Sequence, residues 1–135
     1  MGVCSPAVER YLTGVLKNQV DALVSLQAKS GMWHTLVDDP GSYEEASATA
    51  GFAYGITKAV NMGILDASYK GAAEKALDAV LGCITEDGIV EQVSYGTPMG
   101  RESKDFYKEI PLQPMPYGQA LAILFFMEWL NDGGK

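Results

Sequence analysis

The chain has 135 residues, of which 47% are hydrophobic, and carries a formal net charge of -7. This is the length of one ordinary domain, and the apolar content is sufficient for a buried core, which excludes disorder by composition. The excess of carboxylates argues against a nucleic-acid partner. Because the net charge is negative, an acidic ligand would have to be bound by individual side chains or amides in its site.

Four helices are predicted in chain order. The first covers about 6–28, with Ser5 as a cap and Pro6 in its first turn. The second, about 43–62, is rich in small side chains that let a neighbouring backbone approach closely. Ser68 caps the third, which reaches about residue 84, and the fourth, 117–131, is apolar on nearly all sides.

Two long loops separate the members of each helix pair. The first, 29–42, contains a short strand candidate at 32–37 and a turn at 39–42. A second strand candidate, 89–93, is expected to pair with the first near Trp33. Loops as long as 94–116 are usually functional or disordered. We expect the loops bearing Trp33 and Thr97 to meet at the same end of the helices.

The pattern predicts an all-α fold of two helical hairpins, with a minor pair of short strands. Helix, long loop and helix form the unit of an α/α toroid. Because a helix that is apolar on all sides needs neighbours on all sides, we expect the chain to be part of something larger. Exposed apolar patches are expected on the helix at 43–62 and on the outer faces of 6–28, with self-association as a consequence.

The cysteines and the short apolar runs favour the cytoplasm as the compartment of the protein. Cys4 and Cys83 have no short-spaced partner, which predicts two free thiols in a reducing cytoplasm. The first residues contain no apolar run, so no signal peptide is expected, and the run 120–127 is too short for a bilayer, which needs ~20 residues. We expect no membrane partner and no cofactor. With one histidine, we also expect no metal.

Trp33 and His34 are the first candidates for a ligand site. An aromatic ring beside an imidazole suits a sugar, whose apolar face stacks on the ring while its hydroxyls bond polar groups. The alternative interpretation is that Trp33 packs in the helical wall and His34 is a satisfied structural group.

The segment Ser94-Tyr95-Gly96-Thr97 is the second candidate. Its glycine allows close backbone approach to a ligand, and its hydroxyls can bond sugar oxygens. Tyr107 and Tyr117 are expected at the same opening. A purely structural role is equally compatible with the sequence for Thr97 and Tyr107.

Four carboxylates are candidates for acid chemistry: Asp38, Asp39, Glu44 and Glu45. The two aspartates precede Pro40 and suit turn or capping roles. Both glutamates fall in a first helical turn, where the helix dipole favours them. Glu45 is also a candidate inward hydrogen-bond anchor, and we include it among the substrate-binding residues.

The segments 31–40, 45–55, 88–97 and 116–120, with Phe106-Tyr107 before the last of them, stand in this order in the sequence. Together they resemble the unsaturated rhamnogalacturonyl hydrolases and the related unsaturated glucuronyl hydrolases, glycoside hydrolase families 105 and 88. Residues 31–40, Gly-Met-Trp-His-Thr-Leu-Val-Asp-Asp-Pro, match a "G-x-W-H-T-x-x-D-D-P" segment. Residues 45–55 resemble the helix that follows it, and 88–97 a "G-x-x-x-x-V-S-x-G-T" segment. Residues 106–107 and 116–120 continue in the expected order.

The resemblance implies an (α/α)6 barrel of six-hairpin type, of which residues 1–135 would be a single segment from the carboxy-terminal third. It implies a hydrolase that removes 4,5-unsaturated uronic acid from pectic oligosaccharides by hydrating the double bond, a reaction for which one positioned acid can serve both proton steps. The family's acid/base aspartate and its Arg-Gly-x-x-Trp segment have no counterpart here. We therefore predict no catalytic residue and no activity of the chain alone.

The expected partners are an unsaturated oligosaccharide, the amino-terminal part of the barrel and further copies of the chain. A non-catalytic carbohydrate-binding or structural helical domain is the alternative, and a half-barrel that assembles with itself or with another chain is a third possibility. These residues do not decide whether the chain is an enzyme.

Overall fold

The four predicted helices are present in a computed structural model that describes residues 4–132. In chain order the helices are α1 Pro6–Leu26, α2 Ala46–Asn61, α3 Lys70–Leu81 and α4 Pro116–Asp132, with short 3-10 helices at Ala67–Tyr69 and Lys104–Glu109. The hydroxyl of Ser5 accepts from the Val8 amide and caps α1, as predicted. Helix α2 begins later than predicted because Glu45 is its N-cap.

The two predicted strands are absent from the described part of the chain. It contains only isolated antiparallel bridges, which join His34 to Glu44, Ile84 to Val90 and Ser94 to Leu112. The predicted pairing of 32–37 with 89–93 is therefore wrong. Each segment folds back on its own neighbours, because closing a short loop costs less chain entropy than closing a long one. The segment 89–93 is instead bonded to the start of α2, where the Ala46 amide donates to the Gln92 carbonyl at 2.9 Å.

Helix α2 lies in the middle of the core and packs against both α3 and α4. Its small residues Ala46, Ala50 and Ala53 are buried, and Lys58 is its one exposed residue. The expectation of an apolar patch on this helix is therefore wrong. Its neighbour α4 also approaches the core closely: a Cβ at Gly118 would lie 2.5 Å from a methyl group of Val93.

Apolar side chains are nevertheless exposed on both terminal helices. On α4 the buried residues include Ala122 and Phe125. Its exposed apolar residues are separated by one, three and three positions and are Ile123, Leu124, Met127 and Leu130. On α1, as predicted, a similar exposed set consists of Val8, Tyr11, Leu12 and Val15. These two sets, which we name the α4 stripe and the α1 stripe, each have helical spacing.

We expect the chain to self-associate through these stripes, because exposed apolar patches larger than a few hundred Å² are rare on monomers. Light scattering at high concentration should show dimers or larger species. Charges in the α4 stripe (Met127→Lys with Leu130→Glu) should shift the population towards monomer. Leu81→Glu, a change at an exposed leucine of α3 outside both stripes, is the matched control. A monodisperse monomer that binds no dye for apolar surface would contradict this expectation.

Candidate functional site

A cavity of about 660 Å³ opens beside the amino-terminal end of α2. Its walls come from three places that are distant in sequence: the turn before α2 with its first turns, the loop after Val93, and the start of α4. The lining residues are Thr35, Glu45, Ser47, Ala48, Gly51, Phe52, Ser94, Gly96, Thr97, Tyr117 and Leu121. Hydroxyl groups dominate its polar side, so this cavity, which we name the α2 cavity, offers donors and acceptors on an apolar floor.

Glu45 is the structural centre of this cavity. The side chain is buried, and its oxygens accept hydrogen bonds from the Ala48 amide, from the Ser94 amide at 3.0 Å, and from the Ser47 hydroxyl, which lies 2.8 and 3.0 Å from the two oxygens. Its backbone amide donates to the Trp33 carbonyl at 3.0 Å. Glu45 therefore ties three segments together, as the anchor interpretation predicted.

The loop after Val93 is held in place by two tyrosines. The Tyr117 hydroxyl donates to the Ser94 carbonyl and accepts from the Gly96 amide at 2.9 Å. The Tyr43 hydroxyl lies 2.9 Å from the Ser94 hydroxyl. Gly96 has a φ of 65°, a left-handed conformation that favours glycine, so the sequence supplies the residue that this turn requires.

The predicted site residues divide into two groups. Glu45, Gly96 and Thr97 line the α2 cavity, and Tyr117 joins them as expected. Tyr95 is exposed and lines another cavity beside Phe106. The Tyr107 hydroxyl accepts from the Gly100 amide at 3.1 Å and so braces the loop 100–107.

Trp33 and His34 do not line the α2 cavity. The Trp33 ring is fully buried, donates from Nε1 to the Leu23 carbonyl at 2.7 Å, and packs edge-on against Phe52. His34 Nδ1 lies 2.6 Å from the Ser42 carbonyl, and its ring borders a different cavity of about 430 Å³. This placement agrees with the alternative, structural interpretation of both residues. Their loop does meet the second one at a shared rim, because Thr35 and Thr97 line the same cavity.

Thr35, Ser47 and Phe52 line the cavity but were not predicted from the sequence. A signal for Ser47 exists in its spacing, because a hydroxyl two residues after a capping glutamate can reach that carboxylate. Gln92 is a further unpredicted feature. It has a φ of 60°, uncommon for a residue other than glycine, and its carbonyl accepts from the first amide of α2.

Asp39 has the predicted turn role and a second one. Its Oδ1 accepts from the Gly41 amide at 2.9 Å, and Lys108 Nζ lies 2.8 Å from its Oδ2 and 3.0 Å from Asp105 Oδ1. The Lys108 ammonium lowers the pKa of both aspartates, with smaller contributions from the Gly41 amide at Asp39 and the Ser103 hydroxyl at Asp105. Lys108 thus joins the 3-10 helix Lys104–Glu109 to the turn before α2.

This ion pair makes the loop sensitive to acid. A carboxylate whose pKa is lowered on folding stabilises the fold above its ordinary pKa of about 3.9, and that contribution is lost as the pH falls through the lowered value. We expect the amide shifts of Phe106 and Lys108 to stay constant from pH 7 to about pH 5 and to change below about pH 4. Lys108→Met should move this step to higher pH in an NMR titration, because both aspartates lose the ammonium that lowers their pKa, and Lys75→Met on α3 should leave it unchanged. A step unaltered by Lys108→Met would contradict the assignment.

Metal sites, membrane-spanning helices and reactive cysteines are the other features of residues 4–132 that bear on function. The described residues contain no group of three or more His, Cys, Asp or Glu side chains placed to hold a metal ion, and no helix long and apolar enough to cross a bilayer. Both cysteines are free, as predicted. Burial, with the nearby carboxylates of Glu44, Glu45 and Glu91, raises the pKa of the Cys83 thiol. That thiol is therefore not an activated nucleophile at neutral pH.

Comparison with known proteins decides the family. The family model described as Glycosyl Hydrolase Family 88 matches residues 5–132. The chain belongs to glycosyl hydrolase family 88. Over 121 residues it is 40% identical to the unsaturated rhamnogalacturonyl hydrolase YesR of Bacillus subtilis (strain 168), a match that covers 89% of this chain and 33% of that protein.

Solved structures related to family 88 support the fold. A possible member of the GH105 family from Salmonella enterica superposes with a TM-score of 0.92 at 51% identity, and one from Klebsiella pneumoniae with 0.92 at 53%. Each comparison covers 96% of this chain and 34% of the other. The chain thus spans about a third of the length of the relatives it matches. The predicted family resemblance and the partial all-α six-hairpin fold are confirmed.

Proposed function

We propose that this chain forms one wall of the substrate cleft in a glycoside hydrolase that removes 4,5-unsaturated uronic acid from oligosaccharides by hydrating the double bond. One observation carries the proposal. Two of the segments that resemble the family, 45–55 and 88–97, meet at the α2 cavity and supply Glu45, Ser94, Gly96 and Thr97 to its lining. A cavity built by the family's own motifs is the natural place for the family's substrate.

The chemistry of the cavity suits sugar hydroxyls better than a uronate carboxylate. Thr35, Ser47 and Thr97 present hydroxyls, and Phe52 and Leu121 present apolar surface. The amino-terminal end of α2, which would attract an anion, is already occupied by the Glu45 carboxylate. The uronate carboxylate must therefore be bound by residues beyond this wall.

Proton transfer also requires groups beyond this wall. Among the described residues that line the cavity, Glu45 is the one carboxylic acid, and both of its oxygens already accept hydrogen bonds from within the protein. A general acid must reach the substrate with its proton, and Glu45 is held away from that role. Glu45 is therefore a positioning residue, which holds Ser47 and Ser94 in place in the cavity wall.

The remaining two thirds of the barrel would supply the acid and the uronate-binding groups. In this proposal residues 1–135 correspond to the carboxy-terminal third, since the four matching segments follow the family's order. The two free thiols favour the cytoplasm as the compartment. A carbohydrate-binding domain without activity is the second candidate function, favoured by the lack of an accessible carboxylate in the α2 cavity.

The experiment that tests the proposal measures binding of an unsaturated disaccharide to the ¹⁵N-labelled chain. We expect shifts at the amides of Ala48, Ser94 and Gly96, and at least about tenfold weaker binding for a Ser47→Ala and Thr97→Val double variant, equivalent to about 1.4 kcal/mol. Thr85→Ala, at a hydroxyl outside the cavity, is the control. Shifts elsewhere, or none, would refute a sugar site here.

We also predict that the chain alone does not turn over the disaccharide, because the cavity lacks an accessible acid. Absorbance of the double bond would be followed with the chain in molar excess over substrate, beside an identically purified Glu45→Gln variant. The expected result is a constant signal in both samples. Loss of absorbance in the unaltered chain but not in the variant would instead assign the acid to Glu45.

A further inference from the structure

A second cavity of about 380 Å³ lies in the loop that follows Val93. It is lined by Tyr95, Pro98, Phe106, Glu109, Ile110 and Pro111. Two of these are aromatic residues with 56% and 40% of their surface exposed, Tyr95 and Phe106. Large aromatic side chains usually bury this surface, so two exposed rings beside one concave site call for a functional explanation.

The loop is held so that these rings keep their positions. At its base the Tyr95 amide donates to the Pro111 carbonyl at 2.8 Å, and the Gln113 amide donates to the Val93 carbonyl at 2.8 Å. The Phe106 ring packs edge-on against Tyr107, with ring centroids 5.5 Å apart. The Lys108 ion pair with Asp39, described above, ties the far side to the turn before α2. A platform fixed in this way loses little conformational freedom when a ligand binds.

The two cavities share one stretch of chain. Ser94, Gly96 and Thr97 line the α2 cavity, whereas Tyr95 and Pro98 line the second one. Residues 94–98 therefore border both cavities.

We propose that this second cavity binds a neutral sugar unit of the same oligosaccharide, beyond the units held in the α2 cavity. The inference rests on the proposed function. The apolar face of a pyranose fits against aromatic and proline surfaces, and a volume near 400 Å³ is within the range of small-ligand sites. The sugar is neutral because the described lining contains the Glu109 carboxylate and no cation, which disfavours a second uronate.

The test compares two ligands on the ¹⁵N-labelled chain: an unsaturated disaccharide, and a trisaccharide that carries one further neutral hexose. We expect the trisaccharide to bind at least about fivefold more tightly, a gain within reach of one aromatic contact. It should also shift the amides of Tyr95, Phe106 and Ile110. The gain should disappear in Tyr95→Ala and in Phe106→Ala.

Conservative variants separate ring contact from loop damage. Tyr95→Phe and Phe106→Tyr keep the rings and should keep the gain, and Tyr11→Ala, at an exposed tyrosine of α1, should leave it unchanged. A trisaccharide that ends in a uronate should gain less than the neutral one, and Glu109→Gln should reduce that difference. Rings that can be removed without loss of the gain would overturn the inference.

The two proposals fail in different ways. If the disaccharide binds and the neutral extension adds nothing, the second cavity is not a sugar site and the proposed function stands. If the disaccharide causes no shifts at the α2 cavity while the trisaccharide shifts Tyr95 and Ile110, the second cavity binds a sugar on its own, and both the proposed function and the extension from the α2 cavity are wrong. If neither ligand shifts any amide, both proposals are wrong.

Discussion

Trp33→Ala is expected to lower the free energy of unfolding by about 3–5 kcal/mol, the usual range for removing a large buried aromatic side chain. The ring is fully buried and contacts Phe52. Its Nε1 donor satisfies the Leu23 carbonyl near the end of α1, so alanine also leaves that acceptor without its partner. Trp33 thus joins α1 to the core, and its loss should loosen the first helix most.

Urea unfolding of the variant and of two controls would measure this effect. Trp33→Phe keeps most of the packing but removes the hydrogen bond, and should cost about 1–3 kcal/mol. Tyr11→Ala, at a tyrosine with 70% of its surface exposed, should cost less than about 0.5 kcal/mol. If Trp33→Ala resembled Tyr11→Ala, Trp33 would not be a core residue and its predicted sugar contact would regain support.

The sequence predicted the helices well because their ends carry local signals. Ser5 and Pro6 start α1 in the structure as they do in the pattern, and the apolar steps of α1 and α4 are helical. The strands were predicted wrongly because the alternation of apolar and polar residues at 89–93 is also compatible with a local turn. The Thr85 amide bonds the Ile89 carbonyl and the Glu91 amide bonds the Cys83 carbonyl, so this segment closes a turn after α3.

The candidate site was predicted in part. Glycine and hydroxyl residues at 94–97 predicted a ligand wall, and Gly96 and Thr97 line the α2 cavity. Trp33 and His34 were predicted as one unit, but neighbouring residues in an extended segment point to opposite sides, so one faces the core and the other the surface. No local pattern could reveal which of the two side chains faces the core, since that depends on contacts with α1 and α2.

Glu45→Ala is expected to destabilise the chain by about 2–4 kcal/mol, the sum of a lost helix cap and a buried amide left without its acceptor. The cap bond goes to Ala48, and the amide is that of Ser94. Because Ser94 precedes Gly96 and Thr97, the variant should also displace the cavity wall. Amide shifts should therefore change at 94–97 and at the start of α2, more than 45 residues apart in sequence.

Two substitutions separate the hydrogen bonds of Glu45 from the effect of a negative charge at the start of α2. Glu45→Gln keeps one oxygen but turns an NH₂ group towards an amide donor, so we expect a loss of about 1–3 kcal/mol. Glu44→Ala, next in sequence, removes a carboxylate that accepts from the exposed Ser30 hydroxyl at 2.8 Å and should cost under about 1 kcal/mol. Both would be measured by urea unfolding. Equal losses at positions 44 and 45 would show that helix-end charge alone matters. A much larger loss at 45 would show that this carboxylate holds α2 and the loop after Val93 in one wall.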